Sequence, residues 1–454
     1  MSTSTLSLMD AEERREIETR GLPEAWRFVP IEKCVEKTKQ VDMRKASAEF
    51  KYIDVSGVDR DSSRIVGYST YRSHDAPSRA RKVVRKNDVL VATVRPTLKR
   101  IAIIDDEFDN QICSTAFCVL RSDSKVLDSR YLYYAAHTID FVENLGRLQR
   151  GASYPAVTDS DVKRQRIPLP SLQEQGRIAI VLSSIQQSRE KTQSAIDSYR
   201  EMKKSLMKHL FKYGPVCAED AEKIRVRGTG IGEMPEEWDL VRLDSLVRNK
   251  KDIVAGPFGS NIGKRFFVHS GIPVIRGNNL TTGKTMFIDD GFVFITGEKA
   301  QELASCEALP GDLVFTAAGT VGQVGIVPEN GRFRSYIISN KQMRVRLDGE
   351  KAIPKYIFYW FTSEVGQELI ISERRGTSIP VINLSIIRNL FVPLPNVSVQ
   401  RRITTTLSAV DEKIEKLENK KKALDELFKS MLENLMTARI RVNHLDLPEG
   451  VEDG

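Results

Sequence analysis

Two stretches of the chain carry the same hydrophobic rhythm. From Ile178 the seam Leu182, Ile185, Arg189, Thr192, Ile196, Tyr199, Lys203, Leu206, Leu210 steps by alternating four and three residues. From Ile403 the seam Leu407, Val410, Ile414, Leu417, Lys421, Leu424, Phe428, Met431, Leu435 does the same. A stripe recurring about every 3.5 residues faces a partner helix, so each stretch is predicted to be a long coiled-coil helix. Neither Pro nor Gly interrupts 177–213 or 397–447. The second helix adds outward Glu412–Lys416 and Glu418–Lys422 pairs at i,i+4. The first seam, with Arg189, Thr192 and Lys203 on it, is weak alone, and pairing with the second supports it.

The two stretches belong to an internal repeat. RGASYPAVTDSDVKRQRIPLPSLQEQGRI begins at Arg150 and RGTSIPVINLSIIRNLFVPLPNVSVQRRI at Arg375. Pro155/Pro380, Pro168/Pro393, Gln175/Gln400 and Ile178/Ile403 all keep one offset of 225 positions (380 − 155). Both halves open alike, with GLPEAW at Gly21 and GEMPEEW at Gly232. Midway through each, a turn Asp introduces an apolar run, NDVLVATV from Asn87 and GDLVFTAA from Gly311. Between these anchors the halves differ, so a variable module alternates with a constant segment.

Inside the modules, short β-rich runs such as Val89–Val94, Ile101–Ile104, Leu313–Thr316, Val324–Val327 and Gln342–Leu347 end in Asn, Gly, Asp or Pro turns. YLYYAAHTIDFVENL from Tyr131 and YIFYWFTSEVGQELI from Tyr356 read as amphipathic helices, again offset by 225 (356 − 131). The expected fold class is α+β. Two mixed α/β modules alternate with two long helices that pair as an antiparallel coiled coil. The expected boundaries are a first module at 1–170, a helix at 171–213, a linker at 214–231, a second module at 232–395, a helix at 396–441 and a tail at 442–454.

Composition narrows the class. With 454 residues, 41% hydrophobic and 29% charged, the chain has material for more than one core. No run approaches the ~18 apolar residues of a membrane span, and MSTSTLSLMDAEERREIETR reads as no leader, so a cytoplasmic protein is expected. Lys and Arg outnumber Asp and Glu by 69 to 61, a mild excess compatible with a nucleic-acid partner. Cys34, Cys113, Cys118, Cys217 and Cys306 form no CxxC pair, and the five histidines are scattered, so no metal site is expected. No phosphate-binding Walker motif, Asn-Pro-Pro-Phe/Tyr box or adenosylmethionine loop is present. GTGIG at 228–232 reads as linker and GTVGQVG at 319–325 as a turn. No catalytic residue stands out.

Basic clustering says more. Between Tyr71 and Arg100 lie Arg72, Arg79, Arg81, Lys82, Arg85, Lys86, Arg95, Lys99 and Arg100, against Asp75 and Asp88. Such density can neutralise phosphates, and Arg can grip guanine O6 and N7 together; a merely solvated face is the alternative. In the second module Arg276, Asn278 and Asn279 lie in RGNNLTTG, a composition suited to base edges or to an ordinary polar turn. Ser153, Tyr154, Thr320 and Ser378 are further candidates for DNA contact through hydroxyls and nearby backbone N–H groups. Met207, Phe211, Leu432 and Met436 are apolar off the seam. They are candidates for a partner interface, with packing on their own module as the alternative.

This pattern resembles the specificity (S) subunit of type I restriction-modification systems along the whole chain. The likeness rests on the repeated handovers RGASYPAV…IPLPSLQEQGRI and RGTSIPVI…VPLPNVSVQRRI, on GPFGS at Gly256, on IPVIRGNN at Ile272 and on GDLVFTAAGTVG at Gly311. Val399 departs from the family's usual Glu, kept at Glu174, and the helix is expected to tolerate it. The resemblance implies that each module is a target-recognition domain reading one half of a bipartite, asymmetric target in double-stranded DNA. The helix pair would be the spacer between them. It implies two modification (methyltransferase) subunits and restriction (motor and nuclease) subunits as partners. S-adenosylmethionine, ATP and Mg2+ would belong to those partners, with no cofactor in this chain. The other readings are a coiled-coil adaptor whose basic modules bind protein or RNA, and a self-contained endonuclease.

Overall fold

A computed structural model describes residues 20–42, 49–372 and 381–442. The chain forms two compact units: Met1–Gln193 with Asn419–Gly454, and Ser194–Glu418. The division falls inside both long helices, which run unbroken over Leu172–Tyr213 and Val397–Met436. Their starts differ by 225 positions (397 − 172), the offset of the repeat seen in sequence.

The first unit is built from three sheets. Arg27–Pro30 pairs antiparallel with Arg166–Leu169. A four-stranded antiparallel sheet runs in the order Val35–Glu36, Phe117–Ser122, Val89–Ala92, Ile101–Ile103. A second has the order Ser69–Arg72, Glu49–Ile53, Ile112–Ser114, Ala80–Val83, with its central pair parallel. Trp26, Tyr131, Leu132, Ile178, Leu182 and Leu435 meet in one core, so both long helices pack on this module.

The second unit repeats the plan. Asp239–Arg242 pairs with Phe391–Leu394. The antiparallel sheet has the order Ile253–Ala255, Gln342–Val345, Leu313–Thr316, Val324–Ile326. The mixed sheet has the order Val293–Ile295, Ile272–Ile275, Tyr336–Ile338, Glu307–Ala308, again with its central pair parallel. Trp238, Phe211, Tyr356, Trp360, Ile403 and Leu407 fill the matching core. The segment expected to be a linker is structured: Val226–Thr229 and Gly232–Pro235 form a hairpin around the GTGIG glycines. GTVGQVG turns between the strands Leu313–Thr316 and Val324–Ile326, with Gly319 and Gly322 at positive φ.

Within each unit the helices run antiparallel. In the first, Glu174 near the start of one helix meets Arg441 beyond the end of the other, while Arg189 meets Asp425 at 2.6 Å. In the second, Lys203 pairs with Asp411 at 2.7 Å and Arg200 with Glu418 at 2.6 Å. The seam's Arg189 and Lys203 are therefore ion-paired across the helices, while Lys421 pairs within its own helix with Asp425 at 3.0 Å. Charged pairs at a seam fix register at some cost in stability. Thr192 satisfies its hydroxyl on the Ser188 carbonyl at 2.7 Å.

Candidate nucleic-acid interface

In the first unit, the loop after Val89–Ala92 gathers several candidates. Thr93 N–H donates to the Ala116 carbonyl, and Thr115 N–H donates to that of Arg79, so three loops lie side by side. Segment 150–156 is laid on them: Arg95 N–H donates to Pro155 O at 2.7 Å and Val157 N–H to Thr93 O at 2.9 Å. Arg95 holds a left-handed backbone (φ 48), and its Nη2 donates to Ser153 O at 3.2 Å. Its guanidinium sits 5.2 Å from the Tyr154 ring centroid, and Tyr154 is 73% exposed. Arg79, Arg95, Ser153 and Tyr154 thus share one exposed loop edge.

The second unit builds the same edge from matching segments. Ala317 N–H donates to Lys341 O, and Ile382 N–H to Ala317 O. Ser339 N–H donates to Ile275 O, and Gly256 N–H to Gln342 O. Four loops thereby converge, presenting Phe258, Thr320, Asn340 and Lys341 to solvent with Arg276 half-buried beside them. Phe258, Asn340 and Lys341 were not read as candidates from sequence. At the repeat offset Lys341 falls on Ala116 (341 − 225), so the repeat held no signal for it.

Several expected contacts are structural instead. Lys82 is buried and donates to Phe117 O at 2.6 Å and Asp159 Oδ2 at 2.5 Å, so it offers no charge to DNA. Arg100 is tied to the carbonyls of Val55, Ser56 and Val58. Asn279 is fully buried, with its amide donating to Ile288 O and Asp290 O and its Oδ1 accepting from Arg276 N–H. It shapes the turn and reads nothing. Asn278 is exposed but donates to Gly291 O, Arg81 is half-buried and donates to Ser78 O, and Lys99 is exposed with a left-handed backbone. Ser378 lies outside the described residues.

The expected partner patch is also corrected. Met207 and Phe211 are buried in the second unit's core beside Trp360 and Tyr356, and Leu432 and Met436 in the first unit's core beside Leu435. The helix Leu172–Tyr213 thus spends its off-seam apolar side chains on the second module and the helix Val397–Met436 on the first, so neither packs them on the module it follows.

Matched ion pairs pin the same strand pairs at the end opposite each loop edge. Asp88 accepts both Arg121 nitrogens at 2.9 and 2.7 Å, and Asp312 accepts both of Arg346 at 2.9 and 2.8 Å. Hydrogen bonds to the carboxylate raise the pKa of Arg121 and Arg346. These are the turn aspartates of the two apolar runs, and they also accept the N–H of Arg85 and Leu309. Burial pushes the Cys118 thiol up to about 12, marking it as packing rather than a nucleophile. Among the described residues no cluster of His, Cys, Asp or Glu could hold a metal ion. No helix among them is long and apolar enough to cross a membrane.

Known proteins carry the same plan. The family described as the type I restriction modification DNA specificity domain matches residues 43–196 and again 235–426. The chain belongs to this DNA specificity family. It is 25% identical over 340 residues to the type I restriction enzyme MjaVIII specificity subunit of Methanocaldococcus jannaschii, covering 74% of this chain and 76% of that one. It is 24% identical over 301 residues to the EcoBI specificity subunit of Escherichia coli, covering 63% and 61%. Among solved structures, one describing complex assembly and conformational transition of the type I R-M system superposes with TM-score 0.53 at 25% identity, over 91% of this chain and 98% of that one. The S subunit from M. genitalium shares the fold at TM-score 0.57 and 16% identity, over 90% and 96%. The two family matches fall on the two units' repeated modules and the helices that follow them, which is the α+β alternation expected from sequence.

Proposed function

We propose that each unit of this DNA specificity subunit reads one half of a bipartite, asymmetric duplex target through its loop edge, and that the paired helices space the two halves. The observation that supports this most is the duplication itself. One strand order and one loop edge at the same end of it occur twice, yet the side chains on the edges differ: Arg79, Arg95 and Tyr154 against Phe258, Thr320 and Lys341. A scaffold kept while its exposed loops change is what reading two different sequences requires.

The division of chemistry follows from the side chains. Arg95 is held by Ser153 O and lies against the Tyr154 ring, so its guanidinium is preorganised for a guanine edge or a phosphate. Lys341 is exposed and serves as a phosphate contact that positions without reading. Catalysis is assigned to partners: two modification subunits that hold S-adenosylmethionine and restriction subunits that use ATP and Mg2+, working in the cytoplasm. Likeness to the solved structure concerned with complex assembly of the type I R-M system, at TM-score 0.53, supports assembly of this kind. Footprinting of duplex DNA by the chain reconstituted with its modification subunits tests the reading. Two separated protected blocks with sequence preference are expected; one continuous, sequence-indifferent block would refute it.

A further inference from the structure

The most exposed large apolar side chain among the described residues is Phe258, at 90%. It stands at the tip of the GPFGS loop, and that loop is rigid. Pro257 before it is buried, and Ile262 after it sits in the core with Val274 and Ile337. Gly256 N–H donates to Gln342 O at 2.8 Å, and Asn261 N–H donates to Phe258 O at 2.8 Å. Gly256 lies so close to the neighbouring turn that a Cβ would meet Ser339 O at 1.8 Å, so only glycine fits. Arg265 closes the loop by donating to Ser260 O at 2.9 Å. An aromatic ring is therefore held almost wholly in solvent by a loop that cannot fold it away.

The surroundings favour a polyanion. From Ile253 to Ile288 the sequence holds no Asp or Glu, while Lys264, Arg265, Arg276 and Lys284 lie within it. A Cβ built on Gly259 would lie 3.6 Å from the Asn340 side-chain nitrogen, so the Phe258 loop runs beside the turn that carries exposed Lys341 on the proposed reading edge. An edge-on contact with a thymine methyl would bury only part of such a ring. Both faces are buried only between two stacked planar groups, and apolar wedges of this kind part base steps and kink the duplex.

We infer that Phe258 inserts at a base step of the half-site read by the second unit. It would contribute specificity through the ease of unstacking that step, which is lowest in cost at pyrimidine–purine steps. This rests on the proposal that the loop edge faces DNA. The test uses the full chain assembled with its modification subunits. The probe is a duplex selected by the wild-type complex from a random pool and labelled at both ends for energy transfer. Phe258→Ala, on a side chain its own fold does not use, should weaken binding about ten-fold or more and lengthen the end-to-end distance. Phe258→Trp should keep both wild-type values. Lys341→Ala should weaken binding while leaving the bend intact. If Phe258→Ala leaves affinity and bend unchanged while Lys341→Ala weakens binding, the edge faces DNA and the wedge is wrong. If neither variant alters binding, the edge itself is misassigned and the wedge falls with it. Loss of co-assembly by Phe258→Ala, with the bend unchanged in what remains, would assign the ring to a protein partner and overturn the inference.

Discussion

Arg441 grips Glu174 through two hydrogen bonds, Nε to Oε1 at 2.6 Å and Nη2 to Oε2 at 3.0 Å. The same carboxylate accepts the indole N–H of Trp26 at 3.1 Å. Three distant pieces of the first unit meet there: the opening segment, the first turn of one long helix and the segment after the other. Val399 holds the equivalent place in the second unit and packs against its core. The residue that departs from the family pattern thus replaces a tether, not a helix former.

Removing one partner of this pair should cost more than removing both. Arg441→Ala leaves the Glu174 carboxylate at a mostly buried site with the Trp26 indole still donating to it but its cation gone, an expected loss of about 2 kcal/mol. Adding Glu174→Gln to it should recover part of that loss. Chemical denaturation of the single and double variants measures the coupling. Strictly additive losses would show that the tether carries no stability.

The long helices, the repeat and its register were legible in sequence because one periodicity and one offset run through 397–436 as through 172–213. The turn aspartates were visible too, but their partners Arg121 and Arg346 were not, since each sits on another strand. The basic run from Arg72 to Arg100 could not be sorted by composition. Whether a cation faces solvent depends on what the next strand puts opposite it: Asp159 and Phe117 O capture Lys82, while Arg79 stands free of the sheet. Met207 and Leu432 were misread for a related reason. A helix wheel shows that a face is apolar, not which module covers it.

Acid should weaken the first unit through His137. Its Nδ1 lies 2.7 Å from Tyr133 O, its Nε2 lies 2.9 Å from Ser63 Oγ, and burial pulls its pKa down from 6.5 to about 4. Between those values the unfolded chain binds more protons than the folded one. Stability is therefore lost as pH falls from 6.5 towards 4 and regained as it rises. Because the ring keeps some solvent contact, the expected loss is about 2 kcal/mol. His137→Gln should flatten that part of the stability profile between pH 4 and 7, and an unchanged slope would remove His137 as the cause.

Arg95 and Lys341 should fail in different ways. Arg95→Ala is expected to cost about 1–3 kcal/mol on the selected target and to relax preference at one base pair. Lys341→Ala should weaken all sequences alike and lower the salt dependence by about one ion. Titration at several salt concentrations, with target and scrambled duplexes, separates the two.

The spacer reading also has a geometric test. Because Arg189 faces Asp425, a heptad inserted after Ser188 is matched by one after Asp425, which keeps both stripes in phase and the flanking ion pair intact. Insertion at the sequence-equivalent Lys413 would instead slide the intervening seam past Arg189–Asp425 and Arg200–Glu418. The matched pair adds about 10 Å of helix, roughly three base pairs of rise at ~3.4 Å each. Selection from random DNA should return the same half-sites with an altered gap, and an unaltered gap in a folded, binding variant would contradict it.

The central claim, that two units read two halves independently, is tested most directly by exchanging residues 42–156 for the matching segment of another family member. That segment carries Arg79, Arg95, Ser153 and Tyr154 and leaves both long helices and the whole second unit untouched. Targets would then be selected from a random duplex pool by the reconstituted complex. One half of the recognised sequence should change, with the other half and the gap retained. A change in both halves, or in neither, would contradict the account.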